Sequence, residues 1–271
     1  MSCRGLPYYG GKRFLADKII SLFPRHKTYL EPFGGGAAVL LRKEPVYNEV
    51  YNDLNGDVVN FFRVCRDIDN RARLKDLLKY TEYSKSSFNE ALLMLEGGDD
   101  VLRAWGFLVT LLLGRYKSNN DNNFIVRVPD PHKMPFNWQK EVDCIAKRFS
   151  KVIIEERDAV EFIEKRLKTF KRETPIVVYI DPPYLNAIQE YKYIYTEDNM
   201  MNLLFVVKEL SDMEDVYFFI SHSDHDIFND LLVDWNKIKI GEIGTGGKGL
   251  EKKQCEYIWT NYKTYDLFDG I

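Results

Sequence analysis

The fold class is indicated by Tyr29-Leu-Glu-Pro-Phe-Gly-Gly-Gly-Ala-Ala-Val39, which has the pattern of an apolar strand, a glycine-rich turn and the start of a helix. Similar apolar runs recur along the chain, several of them apolar on both faces, and they alternate with helical patterns. Such strands are typical of a parallel sheet covered by helices on each side. The sequence therefore predicts an α/β, doubly wound architecture.

The predicted elements fall into two regions. Strands are expected at 28–30, 46–51, 151–155, 176–180, 216–221, 237–240 and 257–261, and helices at 12–22, 36–43, 56–66, 159–170, 200–210 and 225–232. Between the second and third strands lie further helical patterns and a polar, turn-rich stretch that predicts a β-hairpin. Because an insertion of about eighty residues is too long for a connector, we expect an inserted, mostly helical domain at 67–149 and a main domain at 1–66 and 150–271.

Composition excludes several classes of protein. The 271 residues carry 38 basic and 41 acidic side chains, a net charge of −3, which excludes a uniformly cationic nucleic-acid coat but not a local basic groove. The four cysteines are far apart, so we expect free thiols and no metal site. No apolar run has the length of a signal peptide or a membrane span, which predicts a cytoplasmic protein without membrane contact.

The glycine-rich turn predicts a site for a nucleotide-like cofactor. Glycines let another molecule approach the backbone closely, and a helix N-terminus offers free N–H groups. The dinucleotide-binding pattern G-x-G-x-x-G is not met, because Val39 stands at its third glycine position. Asp53 follows the next strand, where a carboxylate accepts hydrogen bonds from the ribose hydroxyls of an adenosine, or alternatively caps the following helix.

A second motif, Asp181-Pro-Pro-Tyr184, follows the apolar run that ends at Ile180. Two prolines fix the backbone and remove two N–H donors, so only acceptors remain beside the Asp181 carboxylate. Such acceptors suit an amino group, and Tyr184 offers a flat face for a planar ring. A rigid turn that merely ends the strand is the structural alternative.

Four motifs together resemble one family. Asp181-Pro-Pro-Tyr184 is similar to the DPPY motif of DNA adenine N6-methyltransferases, and Glu31-Pro-Phe-Gly-Gly-Gly36 is similar to their S-adenosylmethionine loop. Tyr8-Tyr-Gly-Gly-Lys12 resembles their first motif, and Asn52-Asp-Leu-Asn55 their ribose-binding strand end. Their order, with the long insertion ahead of DPPY, resembles the Dam-type, or alpha-group, enzymes.

The resemblance implies a Rossmann-like, S-adenosylmethionine-dependent methyltransferase that methylates N6 of adenine in duplex DNA after base flipping, with the inserted domain recognising the target. It implies a catalytic set of Asp181, Pro182, Pro183 and Tyr184. It implies that Lys12 contacts the methionine carboxylate of the cofactor and that Asp158 contacts its adenine. The full cofactor-binding set that it implies is Tyr8, Gly11, Lys12, Glu31, Phe33, Gly34, Gly35, Gly36, Asp53, Asp158 and Asp181. The residues expected to contact DNA are Arg115, Tyr116, Asn119, Asn120, Arg127 and Lys248.

The resemblance implies no metal, and it makes a cognate restriction enzyme a candidate partner. Tyr191, Tyr193 and Tyr195 occupy the stretch where the family often carries a phenylalanine, which leaves the aromatic residue of the flipped-base pocket open. Rival functions are methylation of an RNA adenine or a protein glutamine, a catalytically silent DNA-binding protein, and a nicotinamide oxidoreductase. Asp181, Lys12 and the glycine loop favour the DNA adenine enzyme over all of them.

Overall fold

The computed structural model describes residues 3–8, 11–115, 123–124, 137–185, 195–245 and 252–263. The strands are β1 (Thr28–Glu31), β2 (Asn48–Asn52), β3 (Gly114–Arg115), β4 (Asn123–Phe124), β5 (Ile153–Glu155), β6 (Ile176–Ile180), β7 (Val216–Ser223), β8 (Asn236–Thr245) and β9 (Lys252–Thr260). The helices are α1 (Ala16–Ser21), α2 (Gly56–Arg66), α3 (Ile68–Tyr80), α4 (Lys85–Gly97), α5 (Asp100–Leu113), α6 (Trp138–Phe149), α7 (Ala159–Thr169), α8 (Glu197–Leu210) and α9 (Asp226–Leu231).

The main sheet has seven strands in the order β5-β2-β1-β6-β7-β9-β8. The first five strands are parallel, and β9 runs antiparallel between β7 and β8. The chain order reverses at β1, which pairs with β2 on one side and β6 on the other. Ligands of such sheets bind at this reversal, outside the carboxyl ends of the strands. The predicted α/β architecture is confirmed.

Both faces of the sheet are buried against helices. Successive residues of a strand point to opposite faces, so neighbouring residues belong to different clusters. Tyr29 and Tyr51 belong to a hydrophobic cluster that includes residues of α2, α5 and α6. Leu30 and Val50, their neighbours along the strands, belong to a second cluster with residues of α7, α8 and α9. This two-sided burial explains why the strands are almost continuously apolar in sequence.

Residues of the predicted insertion contribute α3, α4, α5 and α6 and the antiparallel pair β3–β4. Leu108 and Val109 of α5 are fully buried in the same cluster as Tyr51 of the sheet. This part of the chain therefore shares its core with one face of the sheet. Its role as a separate domain stays a prediction.

The helix predicted at 36–43 is wrong. These residues form turns, although single helix-like bonds join Leu41 N to the Ala37 carbonyl and Lys43 N to the Val39 carbonyl. Ala37 has a φ of 55° and Gly35 a φ of 45°, and these left-handed conformations interrupt a right-handed helix. The first helix also begins at Ala16 and not at Lys12.

The expectation of four free thiols is wrong for one pair, since Cys3 and Cys144 form a disulfide with their Cα atoms 5.6 Å apart. The sequence separation of 141 residues concealed this proximity. The N-terminal segment packs on α6, where the Gly5 N–H donates to Glu141 Oε1 at 2.7 Å. Cys65 and Cys255 are free. Within the described residues, no helix has the length and apolarity needed to cross a membrane, and no three His, Cys, Asp or Glu side chains are grouped as metal ligands.

Candidate active site

The glycine-rich loop lies over the carboxyl end of β2 and is held there by direct contacts. The Gly34 N–H donates to the Asn52 carbonyl at 2.8 Å, and Asn52 Nδ2 donates to the Pro32 carbonyl at 2.9 Å. A Cβ on Gly34 would overlap the ring of Tyr51, coming within 2.8 Å even of Cζ. The Tyr51 hydroxyl donates to the Gly35 carbonyl at 2.7 Å. Close approach of the loop to Tyr51 therefore requires glycine at this position.

Asp53 follows β2 and faces this loop. Its Oδ2 accepts from the Gly35 N–H at 2.7 Å and its Oδ1 from the Asn55 N–H at 2.8 Å. Burial raises the pKa of Asp53 to about 6, although the backbone N–H donors act in the opposite direction. The alternative role of Asp53 as the cap of α2 is wrong, because Asn55 occupies that position and accepts from the Asp57 N–H at 3.1 Å.

One pocket brings together the residues expected to bind a cofactor. It lies at the carboxyl ends of β1, β2 and β6, at the reversal of the sheet. Its lining includes every member of the predicted set: Tyr8, Gly11, Lys12, Glu31, Phe33, Gly34, Gly35, Gly36, Asp53, Asp158 and Asp181. Tyr195 and Pro183 line it as well. Strands far apart in sequence thus deliver three separate motifs to one cavity.

Two further carboxylates of the pocket have distinct surroundings. Asp158 caps α7, where its Oδ1 accepts from the Val160 N–H at 2.9 Å and the Glu161 N–H at 3.2 Å. Glu31 is buried and accepts from the Tyr29 hydroxyl at 3.1 Å. Burial raises the pKa of Glu31 to about 8, with the Tyr29 hydrogen bond opposing the shift.

The residues of this pocket fit a nucleoside cofactor with a charged tail. Asp53 and Asp158 offer carboxylate oxygens, which suit hydroxyl and amino donors. A Cβ on Gly36 would lie 2.9 Å from Cβ of Tyr8, so Tyr8 packs this closely on the loop only because Gly36 has no side chain. The rings of Phe33 and Tyr195 meet edge to face at 5.6 Å and provide an apolar wall.

Asp181 lies at the carboxyl end of β6 and pairs with Lys12. Lys12 Nζ is 2.6 Å from Asp181 Oδ1 and 3.4 Å from Glu256 Oε1, and the lysine side chain is only 3% exposed. Burial raises the pKa of Asp181 to about 6, since the lowering by Lys12 is partly offset by the Glu256 carboxylate. Burial alone would lower the pKa of Lys12, but the two carboxylates raise it above its ordinary value.

Tyr184 is hydrogen-bonded to β9, which is separated from β6 by β7. Its hydroxyl donates a short hydrogen bond to Glu256 Oε1 on β9. Lys12 Nζ lies 4.9 Å from the centre of its ring, and the imidazole of His222 meets the ring edge to face at 4.7 Å. Sequence reasoning missed Glu256 and His222 as neighbours of the DPPY motif. The available signal was a carboxylate within the apolar strand pattern of β9.

The predicted DNA-contacting residues fall mostly outside the described part of the chain. Arg115 forms β3 with Gly114, and Arg115 pairs in register with Asn123 of β4. The remaining predicted contacts lie outside the described residues: Tyr116, Asn119, Asn120, Arg127 and Lys248.

Comparison with known proteins agrees with this arrangement of motifs. A family model described as D12 class N6 adenine-specific DNA methyltransferase matches residues 8–245. The chain is also similar to the Type II methyltransferase M1.LlaDCHI of Lactococcus lactis subsp. cremoris. The two are 28% identical over 280 aligned residues, which cover 93% of this chain and 93% of that protein.

Proposed function

Since this chain belongs to the D12 class of N6 adenine-specific DNA methyltransferases, we propose that it takes the methyl group from S-adenosylmethionine and delivers it to an adenine rotated out of the duplex. The observation that carries this proposal is the single pocket joining the glycine loop, Asp53 and Asp181. One end of that pocket suits an adenosine and the other holds an acceptor for an amino group.

Cofactor binding is assigned to the loops after β1 and β2. Asp53 would accept from the ribose hydroxyls, and Asp158 would accept from the adenine amino group. Glu31 adds a buried carboxyl group whose oxygens can accept from the ammonium group of the methionine end. Lys12 borders the same pocket, so a contact with the methionine carboxylate would be made in addition to its ion pair with Asp181.

The chemical step is assigned to the DPPY turn. When bound, S-adenosylmethionine supplies a methyl carbon that accepts the N6 lone pair as its bond to sulfur breaks, with the bonding electrons left on sulfur. The Asp181 carboxylate and the Pro182 carbonyl would accept from the two N–H groups of adenine N6 and aim the lone pair. Positive charge then grows on N6, and Asp181 would stabilise it and accept the proton that N6 releases.

The position of these acceptors supports the proposal of base flipping. An amino group paired inside the duplex cannot reach a turn at the end of a buried strand, so the base has to leave the stack. Tyr184, anchored by Glu256, would provide the aromatic surface on which the rotated adenine stacks.

Sequence recognition is assigned to residues 67–149 as an inserted target-recognition domain. Arg115, on β3 of the short antiparallel pair, is the described member of the predicted contact set. Contacts with base edges and phosphates would be made there by Tyr116, Asn119, Asn120 and Arg127. Lys248, which lies outside residues 67–149, would contact a phosphate. Because a similar protein is a Type II methyltransferase, we also propose a cognate restriction enzyme as partner. We further propose a cytoplasmic location, because the family acts on DNA.

Calorimetric titration of S-adenosylmethionine tests the cofactor assignment. Asp53→Asn should weaken binding about 10- to 100-fold, because a charge-assisted hydrogen bond contributes about 1.5–3 kcal/mol. Asp212→Asn, the same change at an exposed position, should bind as the native protein does. The cofactor assignment would be overturned by a native protein that does not bind S-adenosylmethionine, or by an Asp53→Asn protein with unchanged affinity.

Base flipping is tested with 2-aminopurine in place of the target adenine, once methylated sites have been mapped by sequencing. Unstacking should raise its fluorescence when the protein binds. If the protein binds the 2-aminopurine DNA as tightly as it binds the adenine DNA and the fluorescence is unchanged, flipping is contradicted.

A further inference from the structure

Glu256 is a buried carboxylate that takes no part in the bond changes of the reaction described above. It lies on β9, opposite Ser223 of β7, and its side chain is 1% exposed. Its Oε1 receives three donors: the Tyr184 hydroxyl, the Ser221 hydroxyl at 2.7 Å and the Lys12 ammonium at 3.4 Å. Two of these donors belong to the motifs that carry the chemistry.

We propose that Glu256 is a positioning residue for methyl transfer, which offsets the charge of Lys12 so that Asp181 accepts strongly from the adenine amino group, and which fixes the ring of Tyr184. This inference rests on the proposed function of the same site. It adds a residue on β9 to a site otherwise assigned to the four sequence motifs and Asp158.

The charge balance supports the first part of the argument. Lys12 is the shared cation of two carboxylates, since it contacts both Asp181 and Glu256. With both carboxylates ionised the trio carries one net negative charge, which stabilises the positive charge that grows on N6. Without the charge of Glu256, the pair Lys12–Asp181 is neutral and attracts that charge less.

Glu256 shares Lys12 with Asp181, and other groups also lie near Asp181. Tyr179 on β6 and Glu31 on β1 also interact electrostatically with Asp181. His222 on β7 is close to Tyr184, and burial lowers its pKa to about 4, so it is neutral in the working range. Glu256 raises the pKa of Asp181 and Lys12 lowers it, so removing the Glu256 charge should lower that pKa.

The hydrogen bond to Tyr184 supports the second part. Tyr184 lies on the loop after β6, whereas Glu256 lies on β9, which is separated from β6 by β7. The bond therefore ties the end of the DPPY turn to a rigid strand. A tyrosine ring held at its hydroxyl end has fewer orientations and loses less entropy when a base stacks on it.

The test compares Glu256→Gln with Glu256→Asp. Glutamine removes the charge, so the acidic limb of the pH–kcat profile should move about one unit below that of the native enzyme, with kcat at neutral pH reduced about 10-fold. Aspartate keeps the charge but draws back from Tyr184, so kcat should fall while the acidic limb stays in place. Tyr184→Phe should behave as Glu256→Asp does, and these two variants carry the test if the glutamine variant does not fold.

Glu49→Gln is the matched control. Glu49 is a carboxylate only 5% exposed, paired with Lys43 at 2.7 Å and Arg148 at 2.5 Å, and it lies outside the pocket. Its loss should lower stability without moving the acidic limb. A limb that moves equally in the Glu49 and Glu256 variants, or that moves in Glu256→Asp as far as in Glu256→Gln, would overturn the inference.

A second readout does not depend on turnover. The 13C-labelled side-chain carboxyl of Asp181, assigned by its loss in Asp181→Asn, should titrate at lower pH in Glu256→Gln than in the native protein. An unchanged midpoint overturns the role of Glu256, whereas a native protein that transfers no methyl group from S-adenosylmethionine overturns the proposed function. The two failures are thus distinguished.

Discussion

Gly34→Ala should damage the cofactor pocket through a single buried contact. The added Cβ would overlap the Tyr51 ring, which is fully buried and packs edge to face on Phe62 at 5.0 Å and on Phe149 at 5.6 Å. Because this ring has little space to move, the glycine loop has to lift away from β2. The hydrogen bond from the Tyr51 hydroxyl to the Gly35 carbonyl would then break.

The size of the effect follows from these contacts. Overpacking a core costs about 1–3 kcal/mol, and the lost hydrogen bond adds about 1 kcal/mol. A free energy of unfolding lower by about 2–4 kcal/mol corresponds to a Tm lower by about 4–16 °C in a chain of this size. Affinity for S-adenosylmethionine should fall too, because the displaced loop carries the N–H group that binds Asp53.

Thermal unfolding and calorimetric titration measure the two effects, with Gly97→Ala as the control. A Cβ on Gly97, at the end of α4, meets no atom within 4 Å, so the same chemical change should leave both quantities near native values. In a Tyr51→Leu background the clash is relieved, and Gly34→Ala should then cost less. A Gly34→Ala protein with native Tm and native affinity would refute the packing of the loop on Tyr51.

Further predictions concern charge, covalent structure and capping. Activity should fall as the pH drops through about 6, where Asp181 is protonated. Lys12→Met should move this acidic limb of the pH–activity profile to higher pH, because the cation that lowers the pKa of Asp181 is lost. An acidic limb that stays in place would contradict the ion pair between Lys12 and Asp181. Maleimide labelling of the unreduced, denatured chain should modify two cysteines, and labelling after reduction four, because Cys3 and Cys144 are bonded; four labels without reduction would contradict the disulfide. Asn55→Ala removes the cap of α2 and should cost about 1 kcal/mol of stability by denaturant unfolding; an unchanged midpoint and slope would refute the cap.

The strands of the sheet were predictable because strands buried on both faces have continuous apolar runs in the sequence. Ile176–Ile180 is buried at all five positions, and the apolar run predicted the strand with its observed bounds. The turn at 36–43 was not predictable in the same way, because alanine favours a helix and nothing local indicates the φ of 55° at Ala37. The partner of Cys3 was hidden for a similar reason, since proximity to Cys144 arises only when the N-terminal segment packs on α6.

Some residues of the candidate site could be predicted from the sequence and others could not. Residues within contiguous motifs, such as Asp53 after β2 and Asp181 after β6, could be assigned to one pocket because parallel strands share a carboxyl edge. Glu256 could not be assigned to the site, because its position near Tyr184 and Lys12 depends on β9 lying antiparallel beside β7. A charged residue in an apolar strand pattern indicates burial, but its partners Tyr184 and Lys12 come from distant parts of the chain.

The most direct test of methyl transfer to adenine N6 is nucleoside mass spectrometry of unmethylated duplex DNA after incubation with the protein and S-adenosylmethionine carrying a deuterated methyl group. We expect deuterated N6-methyldeoxyadenosine with the native chain and none with Asp181→Ala, provided that this variant still binds the cofactor. Label in N4-methyldeoxycytidine, or undiminished adenine labelling by Asp181→Ala, would contradict this expectation.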